Sequence, residues 1–456
     1  MLPIVTPDQM RAIDEAAAAR PGELDALIDR AGSAIARAAL RMMGGAYGRR
    51  VVIVAGKGNN GADGRAAGRR LTERGVQVVL FEAAAAPAVL PLADLVIDAA
   101  YGTGFRGEWI SPDPNGAPVL AVDVPSGVDA LTGTAGPGVR GADRTVTFAA
   151  LKPGLLFPPG SVLAGQLEMA DIGLDVSGAD MHLVQTGDVA GWLPQRTADA
   201  HKWRSAVWVI AGNGGMLGAA HLAASAAQRC GAGMVRLSSP GIAHDPGAPA
   251  EVVGKPLASH GWASEALDDL DRFHCLLVGP GLGRADTTSL SVREVVRRSV
   301  LPVVVDGDGL FALGWSGEGP RAVLAERGAA TVLTPHDGEY ALLAGERVGV
   351  DRLAAARRLA ARTGAVVALK GAATVVAAPD ARALVVTVGD DRLATAGTGD
   401  VLAGIVAALV AQGVPAFEAA ACGAWIHGQA ARRGPRRGLI AGDLPDLIPA
   451  VLDSLG

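Results

Sequence analysis

Short β-branched runs, each closed by a glycine turn and followed by an Ala/Arg-rich stretch, recur along this chain, and the pattern starts afresh halfway. Val51-Val52-Ile53-Val54-Ala55 reads as a buried strand, with a glycine turn and a helix from Asp63 to Arg74 behind it. Further strands are expected at 76–81, 94–98, 118–124 and 144–148, after an N-terminal helix pair at 6–19 and 24–43. Strand, helix, strand in this order builds a parallel sheet with right-handed crossovers. Leu193-Pro194-Gln195-Arg196-Thr197 interrupts the pattern, and Val207-Trp208-Val209-Ile210-Ala211 restarts it. Buried runs then end at Val278, Asp306, Leu333, Leu369 and Val388. A chain of 456 residues exceeds what one core ordinarily serves. Two successive open α/β domains, 1–195 and 196–456, are therefore expected. Ligands gather at the carboxyl ends of strands in such sheets, which is where the unusual residues lie.

Composition narrows the setting. Half of the residues are apolar but aromatics make up only 4%, so Ala and Gly carry much of the load. No run reaches the ~18 apolar residues of a spanning helix. The longest, Val401 to Val410, ends at Gln412-Gly413 and reads as a buried helix, so no membrane association is expected. A net charge of -5 argues against a nucleic-acid partner held through phosphates. The N-terminus lacks the basic start and apolar stretch of a secretory signal. Cys230, Cys275 and Cys422 show neither metal nor disulfide spacing. Reduced cysteines in a cytoplasmic protein are the expectation.

The richest stretch is Ala394-Thr395-Ala396-Gly397-Thr398-Gly399-Asp400, which runs into the apolar Val401-Leu402-Ala403-Gly404. A glycine turn opening a helix offers unpaired backbone N–H groups at the positive end of its dipole, a site for phosphate. Asp400 there would repel the anion, unless it handles a substrate hydroxyl about to meet that phosphate. An N-capping Asp is the plain alternative. Four other strand ends accompany it. Gly279-Pro280-Gly281-Leu282-Gly283 brings bare backbone close to a ligand. Thr334-Pro335-His336-Asp337-Gly338-Glu339 places an imidazole and two acids at a sheet edge, which favours a substrate contact over a structural His. Lys370-Gly371-Ala372-Ala373-Thr374 keeps one of only five lysines among 41 basic residues, and its compact ammonium suits a nucleotide phosphate. Val305-Asp306-Gly307-Asp308-Gly309 reads as scaffold or as support behind the site.

In the first half, Gly56-Lys57-Gly58-Asn59-Asn60-Gly61-Ala62-Asp63-Gly64 follows the first strand. It is neither a Walker loop nor a dinucleotide fingerprint, having the wrong spacing for both. Asn side-chain oxygens together with Asp98 suit a hard monovalent cation, whereas an Asx-rich turn explains the same residues structurally. The nonapeptide alone leaves both readings open. Two more acid-bearing strand ends tip the balance: Asp98 before Tyr101-Gly102-Thr103-Gly104, and Asp123 before Pro125-Ser126-Gly127.

The first-half motifs, with Leu27-Ile28-Asp29-Arg30-Ala31-Gly32 and Asp171-Ile172-Gly173, resemble the NAD(P)H-hydrate epimerase domain over most of residues 1–190. The resemblance implies a Rossmann-like three-layer sandwich. It implies that Asn59, Asn60, Gly61, Ala62 and Asp63, with Gly102, Thr103, Gly104, Phe105, Arg106, Gly107 and Glu108, line the hydrated nicotinamide nucleotide. Asp123 would contact the ring as the acid–base group, and Asn60, Asp98 and Ser126 would hold K+. Ala62 stands where the family usually has Gly, and the stretch from Phe81 to Leu95 is shorter than usual.

The second-half motifs, with Gly218-Ala219-Ala220 and Gly231-Ala232-Gly233-Met234-Val235, resemble the ADP/ATP-dependent NAD(P)H-hydrate dehydratase domain, a ribokinase-like α/β fold, from about His201-Lys202 onward. Departures are Trp203 for Gly, Asp337 for Pro and Gly307 for Ala. By this resemblance Lys370, Gly371, Ala372, Ala373 and Thr374 bind ADP or ATP together with Ala394, Thr395, Ala396, Gly397, Thr398 and Gly399. Gly281, His336, Asp337, Gly338, Glu339 and Asp400 would meet the hydrated nicotinamide, with Asp400 catalytic and Mg2+ bridging the phosphates. NADHX and NADPHX are the implied substrates, and a homo-oligomer the implied assembly. Two other readings compete: a small-molecule kinase, which shares the GTGD turn, and a first half reduced to a binding module.

Overall fold

The computed structural model describes residues 1–195, 201–314 and 319–456. They form two compact units, residues 2–181 and residues 182–456 together with Met1. The expected division at 195/196 borders residues 196–200, which lie outside the described residues. The helix Thr186–Trp192 precedes that division, yet buries Val189 in the core of the second unit.

After a short strand at Leu2–Ile4, the first unit carries α1 (Pro7–Ala18) and α2 (Glu23–Met43). Thr6 and Gln9 close a capping box at the start of α1, with Pro7 at its first position. Six strands follow: β1 (Arg50–Ala55), β2 (Gln77–Glu82), β3 (Leu95–Ala99), β4 (Val119–Val122), β5 (Arg144–Phe148) and β6 (Gln166–Ala170). All pair in parallel, in the order β2-β1-β3-β4-β5-β6. The strand order reverses direction at β1, so the crevice beyond β1 and β3 is the switch point where such sheets bind ligands. The helix α3 (Asn59–Thr72) starts four residues before its expected origin at Asp63. The cause is Gly61: a Cβ there would lie 1.9 Å from the Gly56 carbonyl oxygen, so only glycine lets this turn fold back on the loop. β6 was not expected, because Gln166, Leu167 and Glu168 break any apolar run. β4 stops two residues short of Val124 because Asp123 adopts φ 65°, a left-handed conformation. The short connection after β2 leaves Val89 and Leu92 exposed.

In the second unit, β7 (Ala206–Ile210), β8 (Met234–Ser238), β9 (Val253–Gly254), β10 (Cys275–Val278), β11 (Val303–Val305), β12 (Thr331–Leu333) and β13 (Val366–Leu369) are parallel neighbours. β14 (Thr374–Ala377) and β15 (Ala383–Val386) extend the sheet antiparallel. The order is β15-β14-β13-β12-β11-β10-β7-β8-β9, with the switch point between β7 and β10. Four helices matter to the site: α4 (Leu217–Arg229), α5 (Asp337–Ala344), α6 (Thr398–Ala411) and α7 (Ala416–Arg433). α6 is buried from Val401 to Ala411 and presses on α4 at Gly404, where a Cβ would meet the Ala223 oxygen at 2.2 Å. Among the described residues no helix is long and apolar enough to cross a membrane.

Candidate active sites

A cavity of about 1020 Å³ opens at the switch point of the first unit. Of the expected residues, Asn59, Asn60, Asp63, Gly102, Thr103, Gly104, Phe105 and Asp123 line it. Arg106, Gly107 and Glu108 are exposed and do not. Gly61 and Ala62 shape the first turn of α3 instead. Asp123 is held on both oxygens: Oδ1 accepts from Lys152 Nζ (2.5 Å) and Thr147 Oγ1 (3.1 Å), and Oδ2 from Thr103 Oγ1 (2.6 Å). Burial alone would raise its pKa, but the Lys152 charge and these three bonds hold it below the ordinary carboxylate value. Lys152 is 1% exposed and also donates to Thr147 Oγ1 and the Phe148 carbonyl. Sequence reasoning passed over it, although its signal is the one that singled out Lys370, a scarce lysine just past a strand end. Asp14, from α1, also faces the cavity and had no signal beyond its place on an amphipathic helix.

Of the expected cation ligands, Asp98 and Ser126 meet behind this cavity. Asp98 accepts from Ser126 Oγ (2.6 Å) and Ser126 N (2.9 Å), while Ser126 Oγ accepts from Tyr101 N (2.8 Å). Burial raises the Asp98 pKa against these bonds. The Asn60 amide lies against Gly102, where a Cβ would sit 3.2 Å from Asn60 Oδ1, and its buried nitrogen and oxygen have no hydrogen-bond partner. An orphaned buried amide oxygen, a buried carboxylate and a hydroxyl are donors of the kind that suit a monovalent cation.

In the second unit the strand ends also converge. Asn213, after β7, donates to the Gly281 carbonyl (3.0 Å), and Asp308 accepts from Gly283 N (2.9 Å). Lys370 Nζ pairs with Asp306 Oδ1 at 2.8 Å and lies 3.7 Å from Glu339 Oε2; Thr334 Oγ1 donates to the same Asp306 oxygen at 2.7 Å. Asp306, expected to be scaffold or support, is therefore the buried anchor of this cluster. Burial opposes the Lys370 charge, but Asp306 and Glu339 outweigh it and keep its pKa high. Asp400 is pushed up to about 7, first by burial and then by the Asp306 charge. It sits in the first turn of α6, behind Gly397 (φ 92°); no side chain caps this helix, and Thr398 N donates to the Thr395 carbonyl (3.4 Å). His336 caps α5, its Nδ1 accepting from Gly338 N (3.0 Å) and Glu339 N (3.3 Å). That makes Nε2 of this exposed side chain the ring's N–H, 3.5 Å from Glu339 Oε1. Asp337 is tied to Arg352 at 2.8 Å, and Arg352 also donates to the Lys370 carbonyl (2.7 Å), linking α5 to the 370–374 turn.

Residues 207–452 match the family model described as NAD(P)H-hydrate dehydratase, and residues 24–88 and 82–154 match that described as YjeF-related protein N-terminus. The latter match divides within the shortened connection after β2. The bifunctional NAD(P)H-hydrate repair enzyme Nnr of Moorella thermoacetica is 37% identical over 89% of this chain and 88% of its own. The Escherichia coli enzyme of that name is 34% identical over 86% and 83%. This chain belongs to the bifunctional NAD(P)H-hydrate repair enzyme family. A crystal structure of the ADP/ATP-dependent NAD(P)H-hydrate dehydratase of Bacillus subtilis, co-crystallised with ATP and Mg2+, covers 60% of this chain and 98% of its own, with TM-score 0.53 and 26% identity. Within this family the two site clusters fall one in each matched segment, the Asp123 cluster in the YjeF-type segment and the Asp400 cluster in the dehydratase segment.

Proposed function

We propose that this repair enzyme interconverts the R and S forms of NADHX and NADPHX in its first unit and dehydrates the S form in its second. The dehydration consumes ADP or ATP and releases AMP or ADP with phosphate. The observation that carries the second activity is Asp400: a half-buried carboxyl with a pKa of about 7, in the first turn of a helix that no side chain caps. Water leaves C6 of the hydrated ring poorly. Asp400 takes the hydroxyl proton as the hydroxyl attacks the terminal phosphoryl group, the Gly397-Thr398-Gly399 amides stabilise the charge on that group, and Lys370 adds a cation. Phosphate then departs from C6, driven by the ring nitrogen lone pair, and loss of the C5 proton restores the reduced ring.

Mg2+ would be carried on the nucleotide phosphates. Bound there, Mg2+ would neutralise phosphate charge. In the first unit Asn60, Asp98 and Ser126 would hold K+, which would place positive charge behind the nucleotide site. Asp123, ionised and fixed by Lys152, serves as acid–base group at C6. We place the enzyme in the cytoplasm, where the free, buried Cys230, Cys275 and Cys422 stay reduced, and as a homo-oligomer, checked by sedimentation. The deciding assay supplies hydrated NADH, each nucleotide and Mg2+, and follows free phosphate with the absorbance of the reduced nicotinamide. A stable phosphorylated product instead of free phosphate makes the second unit a kinase.

A further inference from the structure

The cavity of the first unit holds two buried carboxyls in opposite circumstances. Asp123 accepts three hydrogen bonds, one of them from the Lys152 ammonium. Asp63, on α3, lines the same cavity at 9% exposure, and among the described residues it accepts no hydrogen bond and joins no ion pair. The charged groups facing it are Asp123, Asp14 and, with opposite sign, Lys152. A carboxylate without a donor, beside another carboxylate whose charge is already satisfied, keeps its proton. Burial first, then the Asp123 and Asp14 charges, push its pKa up to about 8. Two carboxyls whose surroundings drive their proton affinities apart form an acid and a base at one pH.

We propose that Asp63 is the acid of the epimerisation, protonating the departing C6 hydroxyl, while Asp123 is the base that receives a proton from the entering water. This rests on the first unit being the epimerase. The step balances without an external reagent. Asp63 gives its proton to the hydroxyl, the C6–O bond breaks, water leaves, and the N1 lone pair becomes an N1=C6 double bond. The positive charge so formed is countered by ionised Asp123. A water then adds to C6 on the other face, the pair returns to N1, and the water's second proton passes to Asp123. Solvent carries that proton back to Asp63, and the opposite epimer runs the sequence in reverse.

Because Asp63 is neutral in the resting site, Asp63→Asn nearly matches it in shape and charge, so the fold is expected to survive, as a thermal melt would report. Starting from pure R-hydrate, we expect Asp63→Asn to lower the epimerisation kcat by about 10²–10⁴-fold and Asp63→Glu to recover part of it. The wild type should lose rate as pH rises through about 8, and the residual activity of Asp63→Asn should lack that alkaline limb. Retention of wild-type rate by Asp63→Asn, or a slowed variant that keeps the alkaline limb, overturns the proposal. A wild type that leaves R-hydrate unchanged overturns the epimerase reading itself.

Discussion

Asp400 and Asp63 are both acids lifted out of their ordinary range by burial, but their proposed tasks require opposite protonation states. Asp400 acts as a base, so the dehydratase kcat/KM should rise with pH through about 7 and level off above it. Asp400→Asn should cost about 10²–10⁴ in turnover, measured as phosphate release with saturating nucleotide. After burial, the largest influence raising Asp400 is the Asp306 charge, so Asp306→Asn should move the acid limb of that profile to lower pH. An unmoved limb would mean that Asp306 acts through Lys370 alone. The raised pKa of Asp63 also bears on stability. Its folded pKa of about 8 exceeds the ordinary 3.8, so between those values the native state binds the extra proton and stability falls as pH rises. Asp63→Asn should therefore melt higher than wild type at pH 8, with the gain gone at pH 4.

Each site is assembled from the ends of secondary elements, and this explains what the sequence made legible. Apolar runs of β1, β3, β10 and β13 end in glycines, acids or lysine, so Asp98, Gly281 and Lys370 could be placed at a sheet edge from spacing alone. Less legible was whatever depended on a third partner. Asp123 turns left-handed and meets Lys152 from beyond β5, and Arg352 joins Asp337 to the Lys370 carbonyl. No local pattern encodes either meeting. Of the β14–β15 hairpin the sequence shows only a buried run ending at Val388, because each strand is four residues long. The start of α3 shows why neighbouring small residues differ. Gly61 faces the Gly56 carbonyl, whereas Ala62, where relatives of the epimerase domain usually carry Gly, is half-buried on a helix that favours alanine. Gly61→Ala should displace this turn, unseat Asn60 and abolish epimerisation, while Ala62→Gly should change epimerisation by less than about threefold and lower the melting temperature slightly. At the other site, Arg352→Ala frees the 370–374 turn from α5, so the nucleotide KM should rise more than kcat falls. An equal loss in both would mean that Arg352 touches the transition state itself.

At the scale of the whole chain, one polypeptide carries two sheets with separate switch points, and the residues named for each site come from its own unit. On the proposed division of labour the dehydratase consumes one epimer, so a chain with only that activity would strand the other. Given an epimer mixture with ADP and Mg2+, the wild type should restore all of it to reduced nicotinamide. Asp123→Ala should show a burst whose amplitude equals the S share, followed by a slow phase set by unassisted epimerisation. Asp400→Asn should form almost no reduced nicotinamide, yet bring pure R-hydrate to the equilibrium mixture at the wild-type rate. Chromatography of the hydrates resolves both outcomes in one time course. If Asp400→Asn also arrests the R-to-S exchange, the two chemistries share a site and the division of labour drawn from the two carboxylate clusters is wrong. If Asp123→Ala consumes both epimers at the wild-type rate, the dehydratase accepts either form, and the first unit has some task other than epimerisation.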